Sequence, residues 1–155
     1  APRVRISPVC TYLDSEYTSS NSTVTDDRSV GTRTSTRPQR GTEPTSVPNH
    51  MASIFAQYSF QPDTRFEGAS LGGGVRYVGK TWGDAANTLR VPDVTLVDLT
   101  ARYELGHLSP SMQGTSLQLN VSNVFDEKYV SSCLSYTFCF WGYRRAAIAT
   151  LRHRF

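Results

Sequence analysis

No stretch of this 155-residue chain approaches the roughly 18 to 20 consecutive apolar residues of a membrane-crossing helix. If the chain enters a membrane, it does so as strands. Lysine is almost missing, with only Lys80 and Lys128 present, so the net charge of +3 is carried by arginine. Arg144 and Arg145 open the last apolar run while Arg152 and Arg154 close it, so these four make no single basic patch and no nucleic-acid partner is expected. Histidine occurs only at His50, His107 and His153, too scattered for a metal cluster. No Ser, His and Asp set and no carboxylate pair has a spacing that argues for catalysis, so no catalytic residue, metal site or cofactor is expected and the chain does not read as an enzyme. Cysteine is confined to Cys10, Cys133 and Cys139, a count that suits an oxidising compartment with one bridge and one thiol left over. No secretory leader opens the chain, so an exported protein of this sequence has either lost its leader or is a piece of something longer.

What is present is alternation. Residues 115–126 place apolar and polar side chains at successive positions, which gives a strand two unlike faces. Five further segments read the same way. Residues 4–17 set Val4, Ile6, Cys10 and Tyr12 against Arg5, Ser7 and Thr11, with Pro8 as a flaw suited to an edge or a bulge. Residues 50–60 set Ala52, Ile54, Ala56, Tyr58 and Phe60 against Ser53, Gln57 and Ser59. After a turn at 61–69, Leu71, Val75 and Tyr77 oppose Arg76 and Lys80, and Gly72 to Gly74 let the backbone bend or pack closely. Val97, Leu99, Ala101, Tyr103 and Leu105 then oppose Asp98, Thr100, Arg102 and Glu104, and residues 143–155 make a last strand ending on Phe155. Charges at alternate positions of an apolar strand need a wet face or partners.

The connections alternate in length. Residues 18–49, 81–93 and 126–142 are long, whereas the turns at 61–69 and 106–114 are shorter. A soluble sandwich and a membrane barrel share such strands, but long loops at one end, short turns at the other and a terminal aromatic point to an outer-membrane barrel. One motif misleads. Residues 74–81 satisfy G-x-x-x-x-G-K-[ST], the phosphate-cradling pattern, yet the four intervening residues are strand formers and no amphipathic helix has room to follow before Pro92.

Asn123-Val124-Phe125-Asp126-Glu127-Lys128-Tyr129 resembles the Asn-Leu-Phe-Asp-x-x-Tyr signature near the C-terminus of TonB-dependent outer-membrane receptors, carried here by Asn123, Phe125, Asp126 and Tyr129. Val91-Pro92-Asp93-Val94-Thr95-Leu96-Val97-Asp98-Leu99 resembles a strand of that family entering from an extracellular loop. The aromatic-rich segment at 132–142 is similar to the disulfide-closed last loop of ferrichrome-type, hydroxamate siderophore receptors. Val47-Pro48-Asn49-His50-Met51-Ala52-Ser53 and Gly83-Asp84-Ala85-Ala86-Asn87 match the same group. The resemblance covers residues 10–155.

The resemblance implies an all-β, antiparallel up-and-down transmembrane barrel segment of about six strands within a barrel of about 22. Residues 1–155 would be its C-terminal portion, with 18–49, 81–93 and 126–142 as extracellular loops. It implies a Cys133–Cys139 bridge, a siderophore contact drawn from Leu134, Tyr136, Phe138 and Trp141, and an assembly signal at Phe155. Leu134 stands where the family pattern has an aromatic, with Tyr136 as its substitute, and His153 replaces an aromatic two residues before Phe155. The loop aromatics have a second reading, packing around the bridge. The implied partners are a ferric siderophore, in which iron arrives already chelated, the TonB-ExbB-ExbD system acting through a plug that this sequence lacks, the barrel-assembly machinery and outer-membrane lipid. Six strands enclose no lumen, so the piece by itself is expected not to transport. Two other classes are kept: a secreted, disulfide-linked β domain that binds a partner through its aromatic loop, and a P-loop nucleotide-binding protein.

Overall fold

The computed structural model describes residues 3–26, 35–62 and 64–154, so Phe155 lies outside the described residues. Among the described residues, twelve strands run in chain order: β1 Arg3–Tyr12, β2 Thr23–Asp26, β3 Ser35–Pro38, β4 His50–Ser59, β5 Ala69–Val78, β6 Thr81–Trp82, β7 Arg90–Val91, β8 Val94–Glu104, β9 Thr115–Ser122, β10 Val130–Ser135, β11 Phe138–Trp141 and β12 Ala146–His153. Six of them form one antiparallel meander in the order β1-β4-β5-β8-β9-β12, and the others pair as three small hairpins, β2-β3, β6-β7 and β10-β11. Each hairpin sits in one of the three long connections. The sheet is open, with β1 and β12 at its edges.

Register makes the two faces explicit. Val4, Tyr58, Leu71, Ala101, Leu119 and Ala149 stand in one row across all six strands. One residue along, the row reads Arg5, Gln57, Gly72, Thr100, Asn120 and Ile148. Successive side chains on a strand point to opposite faces, so one side of the sheet is apolar and the other polar. The apolar side stays exposed, with Ile6, Ile54, Leu71, Leu99 and Leu151 all open. An apolar face of this size in water would be an aggregation site, whereas lipid covers it at no cost. Tyr12 pairs with His50 near the loop end, and Tyr58 packs edge-on against Phe60 with ring centroids 5.0 Å apart at the turn end. Aromatic rings thus rim the apolar band at both ends, as a membrane interface favours.

The polar face is wired by ion pairs and amides. Arg76 reaches the Asp98 carboxylate from the neighbouring strand through Nε at 2.5 Å and Nη2 at 3.2 Å. Arg102 meets Glu104 at 2.6 Å, and Thr100 donates to Asn120 at 2.8 Å. Phe55 is an apolar residue of this face that alternation did not flag. Its ring lies on the polar face over a glycine floor, where a Cβ at Gly72 would come within 2.8 Å of Phe55 Cζ and one at Gly74 within 2.9 Å of Phe55 Cδ2. The close packing expected of Gly72 to Gly74 is therefore a seat for one ring.

The strand bounds shift at the ends. The first strand stops at Tyr12, and the last begins at Ala146. The turn at 106–114 contains two short 3-10 helices, Leu105–His107 and Pro110–Met112, so Leu105 leaves the strand. Residues 18–49 are more than a polar connection: they contain the β2-β3 hairpin, and Val24 and Thr42 are buried. The phosphate-loop reading fails on geometry. Residues 74–78 lie inside β5, hydrogen-bonded to strands on both sides, so they cannot turn a nest of N–H groups to a phosphate.

Candidate functional site

Among the described residues, the buried apolar side chains are Val24, Ala86, Val91, Leu96 and Cys133, all at the loop end of the sheet. These side chains gather at the loop end, and among the described residues neither face of the six-stranded sheet is covered by another layer. The loop layer contains most of the residues singled out from the sequence.

Asn123 is 3% exposed and adopts φ +50°, a left-handed conformation that asparagine tolerates better than most residues. Its side-chain amide donates to the carbonyls of Glu127 at 2.9 Å and Tyr143 at 3.0 Å and accepts from the Glu127 N–H at 2.8 Å. Its backbone N–H donates to Asp98 at 3.0 Å. One residue therefore ties the end of β9 to the segment entering β12 and to a charged group on β8. Asp126, also left-handed at φ +58°, accepts from the Arg144 guanidinium and from the Arg145 N–H at 3.0 Å. The Arg144 guanidinium, with the Arg145 N–H behind it, holds the Asp126 carboxyl well below the usual carboxylate range. Tyr129 covers Gly142 so closely that a Cβ there would lie 2.0 Å from Tyr129 Cζ, and the Gly142 N–H donates to the Tyr129 carbonyl at 2.8 Å. Phe125 projects outward, 76% exposed. The signature is a clasp for the loop base, with Phe125 alone left for another surface.

Cys133 and Cys139 are bridged across the β10-β11 hairpin, with Cα atoms 4.0 Å apart. Cys133 is buried against residues 81–93, where a Cβ at Gly83 would meet Cys133 Cβ at 2.6 Å. The four candidate ligand residues lie along the β10-β11 hairpin in different surroundings. Tyr136 donates to Thr88 Oγ1 at 3.2 Å, Phe138 packs edge-on against Phe140 at 5.4 Å, and Leu134 remains 68% exposed. Trp141 lines a hollow of about 410 Å³ with Pro92, Asp93, Lys128 and Tyr129. Phe138 thus packs on its neighbour, while Leu134 and Trp141 are exposed. Cys10 carries an exposed thiol on the apolar face of β1.

Residues 81–93 join the other two loops. Asp84 accepts from the Thr88 N–H at 2.8 Å, the Leu89 N–H at 2.7 Å and the Thr88 hydroxyl at 2.6 Å. An ionised carboxylate only accepts, so the Thr88 proton points at Asp84 and Thr88 receives the Tyr136 proton. The Tyr136 oxygen is left with lone pairs, an acceptor, for anything outside. Asn87, at φ +51°, accepts from the Glu43 N–H at 2.6 Å and returns a bond to the Glu43 carbonyl at 2.9 Å. The Ser46 N–H donates to the Trp82 carbonyl at 2.8 Å. The Gly83-Asp84-Ala85-Ala86-Asn87 match contained these residues without showing their role, because their partners lie far away in sequence. Below the loops, the polar face holds an open groove of about 410 Å³ lined by Gln57, Asp98, Thr100, Arg102, Gln118 and Asn120. Among the described residues no three His, Cys, Asp or Glu side chains gather as a metal site.

Residues 11–124 match the family described as TonB dependent receptor-like, beta-barrel. The chain is 44% identical over 115 residues to the ferrioxamine receptor of Yersinia enterocolitica, which covers 74% of this chain and 16% of that protein. It is 39% identical over 145 residues to the ferrichrome outer membrane transporter/phage receptor of Escherichia coli K12, covering 94% of this chain and 17% of that protein. Among solved structures, the siderophore receptor PiuA from Acinetobacter baumannii superposes with a TM-score of 0.71 at 28% identity, over 96% of this chain and 19% of the other. The chain thus spans less than a fifth of the length of these relatives.

Proposed function

This chain belongs to the TonB-dependent receptor-like β-barrel family of the bacterial outer membrane, and we propose that it forms part of the wall and the outer mouth of a receptor that takes up a ferric hydroxamate siderophore. The observation that carries this reading is the bridged hairpin of β10 and β11, docked on residues 81–93 and presenting Leu134, Tyr136 and Trp141 at the loop end of the sheet. In this orientation residues 18–49, 81–93 and 126–142 are extracellular, the turns at 61–69 and 106–114 face the periplasm, the apolar face meets lipid and the polar face lines the lumen. The ligand is the iron chelate itself. No bond in it is made or broken, and the receptor's work is binding followed by TonB-driven passage through the rest of the protein.

A hydroxamate chelate presents a compact, largely neutral surface with amide N–H groups. The Tyr136 oxygen, its proton committed to Thr88, suits such a donor, while Leu134 and Trp141 supply apolar contact. The test is radioactive-iron uptake by the intact receptor in a strain without other siderophore receptors. Ferrichrome or ferrioxamine B should be taken up and a ferric catecholate should not. Tyr136→Phe, which loses both the acceptor and the Thr88 contact, should raise KM by about tenfold, on the order of one or two hydrogen bonds. Uptake of the catecholate alone would overturn the assignment.

A further inference from the structure

The Asp84–Asn87 turn is used neither by the wall nor by the candidate ligand contacts, yet both flanking loops are fastened to it. Within the turn, Asp84 consumes three donors and Asn87 donates back to the Asp84 carbonyl through its own N–H at 3.1 Å. On one side, the Asn87 amide makes a reciprocal pair with the backbone of Glu43, the pattern one strand residue makes with another. On the other side, the hydroxyl of Tyr136 reaches Asp84 through Thr88, and Cys133 fills the space that Gly83 leaves open. Ala86, 1% exposed, is the most buried residue of the layer and sits between the two arms in sequence.

We infer that Asn87 is a positioning residue for ligand capture: through the Asp84 turn it holds residues 35–46 and the bridged hairpin as one body, so that the Tyr136 oxygen is fixed before the ligand arrives. The inference rests on the reading of the outer mouth as a ferric hydroxamate site. Its physical content is preorganisation: a loop fixed in its binding geometry in advance loses less freedom on binding. Asn87 itself is turned to Glu43 and touches no ligand surface.

The substitution that isolates the effect is Asn87→Gly. Glycine accepts φ +51° without strain and deletes only the bonds to Glu43 and Asp84, so the barrel should assemble as in the parent. Two readouts on the intact receptor are needed. Hydrogen exchange should lose protection at Glu43 to Ser46, whereas Asp84→Ala should also deprotect residues 133–139. Uptake of ferrichrome should show KM raised, by up to about tenfold, with an unchanged maximal rate, since the turn that seats Tyr136 through Thr88 loses its brace against Glu43 while the passage is untouched. Parent-like exchange at Glu43 to Ser46 in Asn87→Gly would overturn the inference whatever the receptor transports. So would altered exchange with an unchanged KM. If the parent receptor takes up no hydroxamate, the exchange data still decide the coupling of the loops, and it is the proposed ligand class that falls.

Discussion

At the scale of single residues, the signature at 123–129 owes its composition to backbone geometry more than to chemistry. Position 123 needs a left-handed residue with one donor group and one acceptor in its side chain, and Asn123 uses both. Position 126 needs a left-handed carboxylate facing Arg144 and the Arg145 N–H. Because that carboxyl is held below its ordinary range, its contribution to stability is present at neutral pH and is lost only as acid protonates it. The stability difference between the parent receptor and Asp126→Asn should be constant from pH 7 to about 5 and shrink below about 4, the unfolded value. Calorimetry of the intact receptor at stepped pH checks this. A difference that stayed constant down to pH 2.5 would show that the ion pair does not set the carboxyl's affinity for protons. The pair is partly exposed, so the effect is small and salt-sensitive. The sequence made the signature legible as a motif, but not the work of each atom, since the partners Tyr143 and Arg144 sit 18 to 20 residues further on.

At the scale of elements, alternation located the six wall strands and their faces because period-two patterning records a lipid side and a wet side directly. It failed where a residue broke the pattern for a packing reason. Phe55 is apolar on the polar face, and only its neighbours across the register, Gly72 and Gly74, explain it. Gly74→Ala places a Cβ 2.9 Å from the Ile54 carbonyl oxygen and 2.9 Å from Phe55 Cδ2, one contact with backbone and one with a ring. Gly72→Ala meets the ring tip at 2.8 Å and Thr100 Cγ2 at 2.9 Å. Both should reduce heat resistance of the barrel on gels. Phe55→Ala should relieve most of the Gly72→Ala penalty and less of the Gly74→Ala penalty, a coupling that a double-mutant cycle measures. Equal, additive losses would mean that the ring is not what the glycines accommodate. The hairpins in the loops were not legible at all. Their strands are short, and the loops are held by contacts with one another, such as Glu43 with Asn87 across 44 positions, that local patterning does not record.

At the scale of the whole molecule, the sheet has unpaired edges at β1 and β12 and an apolar face without cover of its own. Each edge offers about half a strand's N–H and C=O groups, which neither lipid nor detergent can satisfy. Expressed alone and refolded in detergent, the chain should therefore aggregate and give no compact, heat-sensitive band. Appearance of such a band would show that the sheet closes by itself or by association of copies.

The aromatic rims carry a further consequence, for the thickness of the surrounding bilayer. Tyr12 and His50 stand level with each other, and Tyr58 is eight residues further along β4, a span of roughly 26 Å at about 3.3 Å per residue and less once the strand tilts. That ruler is shorter than the hydrocarbon of most inner membranes, so hydrophobic mismatch, as well as any targeting signal, would disfavour this wall anywhere but in a thin bilayer.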